Sequence, residues 1–368
     1  EITIDSPTAD KPLAPDTSAE VRVQVESNSA PIQGAFFNID NGNEKQQKKL
    51  QPVKATEARA AFSTNDLVAG RHFALVTIQY GKDAVVRRAA EFEVASRDGK
   101  LNVLRYQHDA GFKAGPVLYK DLVIAGDTAG ELIAWDRKLS KPKWTFASKG
   151  EILTTPTVDG DRILFSSGDG NVYAVSAATG KQMWKYAATT AVYSHVVVKD
   201  GVAYVGDNEG QLHAINVTNG KRVWSIKAGD YSTESGGVIG GDLFYVGNWD
   251  GLVYGVAIKD GAVKWKQWGP SGQAGPGTRN RYYAPADCPG VVLGDKLFIA
   301  DRGYRMGMYQ LDGTYIRQLR EKCGGISLSE DGKFLYARGT ENNLAKLDAE
   351  GKVVWEKGIE AGRFPIPP

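Results

Sequence analysis

Six residues in two short stretches offer the most chemistry in this sequence. Arg279, Arg281, Tyr282 and Tyr283 lie in one stretch; Arg302 and Arg305 flank Tyr304 in the other. Arginine presents a planar fork of donors that matches carboxylate or phosphate, and tyrosine adds stacking area. Brought together, they make a basic aromatic patch for a polyanion, a glycan or an acidic protein segment. Kept apart, they are solvated loop residues held by their own Arg–Asp pairs. His195 and Asp287 are two further candidates, and each adjoins a small side chain, Ser194 and Cys288. Cys288 and Cys323 either bridge, which needs Cα atoms within about 7 Å, or remain separate thiols. These two cysteines with His195 lack the local ligand spacings of a zinc site. No P-loop, no HExxH motif and no Ser/His/Asp hydrolase order is present. No catalytic residue and no metal ligand is therefore assigned.

Loops must hold these residues, and a repeat defines the loops. Trp144, Trp184, Trp224 and Trp265 recur at steps of 40, 40 and 41 residues, and Gly130, Gly170, Gly210 and Gly251 keep the same steps. Within Gly150 to Ala188, apolar residues alternate in four short runs separated by Asp159-Gly160-Asp161, Gly168-Asp169-Gly170 and Thr179-Gly180-Lys181. Short alternating runs between Gly/Asp turns are antiparallel meanders, and four in about forty residues is one propeller blade. Links from a fourth strand to the next first strand, and from a second to a third, share one face, here called the top. That places the 269–280 insert and Asp301 to Arg305 on the same face. Thr154, Ser194, Ser235, Cys288 and Cys323 align at the starts of successive inner strands. They are expected to ring the channel mouth, with Tyr193, His195, Glu234, Asp287 and Lys322 beside them.

Ala174 to Trp184, AVSAATGKQMW, resembles the tryptophan-docking motif of PQQ-type propeller repeats, the family that includes quinoprotein dehydrogenases. Ala214 to Trp224, AINVTNGKRVW, is similar, with looser copies at Gly255 to Trp265 and Lys346 to Trp355. The resemblance covers roughly residues 101–368. It implies a propeller with Trp144, Trp184, Trp224, Trp265 and Trp355 docked between blades, and Arg317 at the docking position of the fifth. Members of the family serve as dehydrogenases, assembly lipoproteins and binding scaffolds. The quinoprotein enzymes use eight blades, a vicinal Cys-Cys disulfide and a calcium held by Glu, Asn and Asp. This sequence has no Cys-Cys pair, so no PQQ and no other cofactor is expected.

The expected architecture is all-β. Residues 1–96 form an immunoglobulin-like sandwich, with six or seven alternating strands and no repeat copy. Residues 97–368 form the propeller, with six complete four-stranded blades and a partial seventh. The boundary is placed at the polar turn of residues 96–99. The partial blade is drawn from residues 101–106 and from the tail at 362–368. Balanced charge, +2 overall, implies no nucleic-acid partner, and no apolar run approaches the roughly 18 residues of a membrane span. Two cysteines among many Tyr and Trp, in a chain that starts at Glu1, suit an exported bacterial protein: periplasmic, cell-surface or extracellular. The leading function is a non-catalytic binding or scaffold module with its ligand on the top face. One variant makes these the accessory domains of a larger hydrolase, such as a metallophosphoesterase. The rivals are a PQQ-dependent dehydrogenase and a propeller lipoprotein of outer-membrane protein assembly.

Overall fold

The computed structural model describes residues 2–8, 12–25, 32–40, 47–54, 56–65, 67, 70–80, 84–95, 108–137, 141–341 and 343–358. The chain divides into two compact units, Glu1–Arg105 and Tyr106–Pro368. The expected boundary turn at 96–99, the strand at 101–106 and the tail at 362–368 lie outside the described residues. No helix among those described is long and apolar enough to cross a membrane.

The first unit has eight strands: β1 (Ile2–Ser6), β2 (Ser18–Val25), β3 (Ile32–Ile39), β4 (Lys48–Lys49), β5 (Gln51–Lys54), β6 (Glu57–Ser63), β7 (Gly70–Tyr80) and β8 (Ala84–Val94). They form two antiparallel sheets of order β1-β2-β6-β5 and β4-β3-β7-β8. Alternation decides what is buried. Val21 and Val23 of β2 and Ala74, Val76 and Ile78 of β7 point into one core with Phe37, Phe62 and Phe92. Phe62 stands edge-on to both other rings, at 6.3 and 5.6 Å, the arrangement that aromatic quadrupoles favour.

Among the described residues the second unit contains six four-stranded antiparallel sheets, each a simple meander. Blade one is β9 (Val117–Tyr119), β10 (Leu122–Gly126), β11 (Glu131–Asp136) and β12 (Pro142–Ala147). Blade two is β13 (Thr157–Asp159), β14 (Arg162–Ser166), β15 (Asn171–Ser176) and β16 (Gln182–Ala187), and blade three is β17 (Val197–Lys199), β18 (Val202–Gly206), β19 (Gln211–Asn216) and β20 (Arg222–Lys227). Blade four is β21 (Val238–Gly240), β22 (Leu243–Gly247), β23 (Leu252–Ala257) and β24 (Val263–Trp268). Blade five is β25 (Val291–Leu293), β26 (Lys296–Ala300), β27 (Met306–Gln310) and β28 (Tyr315–Arg320). Blade six is β29 (Cys323–Leu328), β30 (Leu335–Gly339), β31 (Asn343–Leu347) and β32 (Val353–Gly358). First strands touch first strands in succession, β9, β13, β17, β21, β25 and β29. They are the inner strands of a propeller, and the central strands fill the spaces between blades with apolar side chains.

One device joins the blades. In every blade the register slips by a residue between the third and fourth strands, just after the pair Ala134–Trp144, Ala174–Trp184, Ala214–Trp224, Gly255–Trp265, Met308–Arg317 or Lys346–Trp355. A bulge bends its strand and re-aims the adjacent side chain. Trp144, Trp184, Trp224 and Trp265 each donate their indole N–H to a carbonyl of the next blade, that of Ala177, Val217, Ile258 or Leu311, at 2.8–3.1 Å. Each ring lies on a left-handed glycine of that blade. At Gly180 and Gly220, with φ of +68° and +69°, a Cβ would come within 2.5 and 2.8 Å of the indole. Arg317 takes the tryptophan register in blade five and donates to the Glu350 carbonyl at 2.9 Å, while Leu319 covers Gly351. Trp355 is half-buried and packs on Tyr336 of its own blade; the blade expected beyond it lies outside the described residues.

Candidate binding cleft on the propeller top face

The turn between second and third strands repeats in near-identical form. In blades one, three and five an Asp opens it and accepts backbone N–H groups two and four residues on, while Ser167 opens the turn of blade two. Asp127 Oδ1 accepts from Ala129 and Glu131, Asp207 Oδ1 from Glu209 and Gln211, and Asp301 Oδ1 from Gly303 and Arg305, at 2.8–3.3 Å. The side chain thereby satisfies donors that a tight turn would strand. Blade four opens the same turn with Asn248 and places Trp249 where the other turns carry Thr128, Gly168 and Asn208.

The 269–280 insert follows β24 and coils into three 3-10 turns, Ser271–Ala274, Pro276–Thr278 and Arg281–Tyr283. Asp301 ties it to blade five. Its carboxylate accepts the Ser271 N–H at 2.6 Å and the Ser271 hydroxyl at 2.9 Å, besides the two turn donors. Burial still raises its pKa to about 6, against the pull of those donors. Tyr304 holds a positive φ of +57° in this turn, where the turns of blades one to four have glycine.

The insert and the blade three, four and five turns enclose a top-face cleft of about 730 Å³. Its walls are Tyr231, Trp249 and Tyr282, with Lys227, Arg281 and Arg302 set against Glu209, Asp230 and Glu234. Three cations and three anions thus share the lining with three aromatic rings. Tyr282 is 71% exposed and Tyr231 54%. The Arg302 guanidinium lies over the Trp249 ring at 4.9 Å and pairs with Asp287 at 3.0 Å. The Asp287 side chain is 38% exposed, and the desolvation of the rest raises its pKa while Arg302 opposes it. The buried indole N–H of Trp249 meets no acceptor among the described residues.

Of the residues singled out in the sequence, Arg281, Tyr282 and Arg302 line the cleft, and Asp287 reaches it through Arg302. The others do not. Arg279 folds back inside the insert, donating to the Gly272 carbonyl and covering the Trp268 ring at 5.2 Å. Tyr283 packs over Gly303, and Arg305 contributes its backbone N–H to Asp301 in the turn without lining the cleft. His195 is an inter-blade strut: its Nδ1–H donates to the Thr155 carbonyl at 2.8 Å, and burial lowers its pKa.

One further expectation is corrected, and of the two states left open for Cys288 and Cys323 the structure has the separate thiols. Ser194, Ser235, Cys288 and Cys323 do not ring an open channel mouth; all four are buried. The preceding residues, Tyr193, Glu234 and Asp287, in the links before the inner strands, are the more accessible ones. Cys288 and Cys323 are free thiols rather than a disulfide. Each sits in the apolar core of blades five and six and points to a nearby backbone carbonyl, Pro289 or Gly325. Burial raises both pKa values, that of Cys323 to about 11, so the thiolate that exchange chemistry requires is scarce.

Trp249, Tyr231 and Glu209 escaped the sequence reading, while Glu234, expected beside the channel mouth, lines the cleft instead. The signal for Trp249 was present: a tryptophan inside a polar turn, out of phase with the docking series.

The repeated meander, the blade-to-blade indole contacts and their glycines define a PQQ-like β-propeller repeat protein. The family model described as outer membrane protein assembly factor BamB matches residues 93–228 and 141–275. The crystal structure of BamB from Moraxella catarrhalis superimposes with a TM-score of 0.56 at 14% identity, covering 69% of this chain and 76% of that one. At that identity the likeness concerns the fold. No curated protein matches the sequence.

Proposed function

We propose that the chain is an exported, non-catalytic docking module whose propeller top face binds a protein segment. The carrying observation is the cleft, in which aromatic walls are combined with an equal number of cations and anions. Such a lining fits a peptide bearing both charges around an apolar anchor better than it fits a polyanion or a bare glycan. Tyrosine, tryptophan and arginine are the side chains on which binding energy concentrates. The likeness to an assembly factor favours a partner in the cell envelope. The first unit, read as an immunoglobulin-like module from its two-sheet strand order, serves as spacer or second contact. A quinone cofactor and a catalytic step have no part in this reading.

Site-specific photocrosslinking in envelope extracts tests it. A photoreactive residue replacing Tyr282 is expected to capture a discrete protein, and Trp249→Ala with Arg302→Ala is expected to reduce capture at least tenfold. The same residue at Met183, exposed on an outer strand, serves as control. Equal capture at both positions, or none at 282, overturns the proposal.

A further inference from the structure

A second polar centre lies on blade one, apart from the cleft. His108 precedes the blade, Asp127 follows β10 and Glu131 opens β11. Nε2 of His108 stands 2.9 Å from Asp127 Oδ2 and 3.5 Å from Glu131 Oε2, and the three ligand atoms lie within 4.8 Å of one another. We propose that these residues form a binding site for a divalent first-row transition ion of the zinc type.

The geometry supports this. Metal–ligand bonds of about 2.0–2.1 Å in tetrahedral coordination put ligand atoms about 3.3 Å apart. The observed separations of 2.9 and 3.5 Å fall on either side of that value, and the two carboxylate oxygens lie within 4.8 Å of each other, a spread that rotation of the half-exposed Glu131 side chain can close around an ion. The ligands are also held in place. Asp127 is fully buried, and its Oδ1 is fixed by the N–H groups of Ala129 and Glu131, which leaves Oδ2 directed at the imidazole. The His108 ring lies 5.8 Å from Phe112, and Phe112 packs edge-on against Trp135 at 5.7 Å. Two carboxylates balance a dication, and an imidazole selects transition ions over calcium and magnesium, which take oxygen ligands.

Blade three supplies an internal comparison. Asp207 occupies the position of Asp127, but its histidine, His213, comes from within the blade, is 2% exposed and has Nδ1 engaged by Tyr186 and Ser225. That pair is closed. In blade one the histidine comes from outside the sheet, a second carboxylate joins, and His108 and Glu131 are 22% and 39% exposed. Solvent can therefore supply the remaining ligand and the entry path.

Calorimetric titration of the metal-stripped full chain with zinc chloride tests the assignment, with cobalt as a paramagnetic reporter on the four histidines. One saturable site is expected, with cobalt broadening the His108 ring signals and sparing those of His72, His195 and His213. Glu131→Gln and His108→Gln should each weaken binding at least tenfold with an unchanged melt in the metal-free state. Glu131 is half-exposed, so its variant decides the matter if the histidine variant misfolds. Absence of saturable uptake, uptake that Glu131→Gln weakens less than tenfold, or broadening centred on another histidine overturns the proposal.

Discussion

Asp301 holds the insert to blade five, and its carboxyl titrates at an unusual place. Its pKa of about 6 lies above the ordinary 3.8 because burial outweighs the bonds from Ser271, Gly303 and Arg305. The folded state therefore binds the proton more tightly than the unfolded chain. This contribution to stability is fully present below about pH 4 and is lost as pH rises through about 6. A shift of about two units corresponds to roughly 3 kcal/mol. Asp301→Asn cannot titrate. The stability difference between wild type and variant, from urea melts at stepped pH, should move against the wild type by about 2–3 kcal/mol between pH 4 and 8. A difference that stays flat across that range would remove the buried carboxyl as its cause. At this scale the sequence was partly legible. Arg281, Tyr282 and Arg302 could be chosen because arginine and tyrosine cluster in loops that break the repeat. Arg279 and Tyr283, from the same cluster, are engaged within their own surroundings instead, Arg279 on the Gly272 carbonyl and the Trp268 ring and Tyr283 against Gly303, because the path of a coiled insert follows no strand period that the sequence could reveal. Tyr231 and Trp249 come from other blades, and their nearness to Tyr282 arises only when the blades are stacked.

The blade is held to its neighbour by an indole on a glycine, and each half of that contact depends on the other. Trp184 is 7% exposed, donates to the Val217 carbonyl at 2.8 Å and lies on Gly220. Trp184→Ala should cost about 3–5 kcal/mol, the range for truncating a buried large aromatic. Gly220→Ala adds a methyl in a left-handed conformation, costing about 1–2 kcal/mol, and drives it into the ring, for about 1–3 kcal/mol more. In the Trp184→Ala background the ring is gone and only the backbone part should remain. Chemical denaturation of the two single variants and the double variant should therefore show a coupling of at least about 1 kcal/mol. Additive losses would mean that the two residues act separately. The tryptophan series was fully legible, since a 40-residue step survives without any knowledge of the fold. Arg317 was legible as the exception. What could not be read was how blade five manages without an indole, because Leu319 and the Glu350 carbonyl share that task across a blade boundary.

For the molecule as a whole, the two compact units raise the question of whether each folds alone. Among the described residues, every buried residue of the first core, from Val21 to Val94, belongs to Glu1–Arg105, and its strands pair with one another within the two sheets. A core closed in this way is the physical condition for an autonomous domain. The propeller unit likewise draws its inter-blade clusters from its own residues. From the sequence the division is expected at 96–99, where alternation without the repeat stops; the compact units divide between Arg105 and Tyr106. A polypeptide of residues 1–105 is therefore expected to melt cooperatively. Its heat-capacity change should be about 1.3–1.6 kcal/mol/K, from roughly 12–15 cal/mol/K per residue. The full chain should show a calorimetric transition at the same temperature to within a few degrees, beside a separate one for the propeller. Calorimetry of both proteins checks this. A broad, heatless loss of structure in residues 1–105 would mean that the sandwich depends on the propeller and that the chain folds as one unit. A single full-chain transition, with the isolated unit melting far below it, would mean the same.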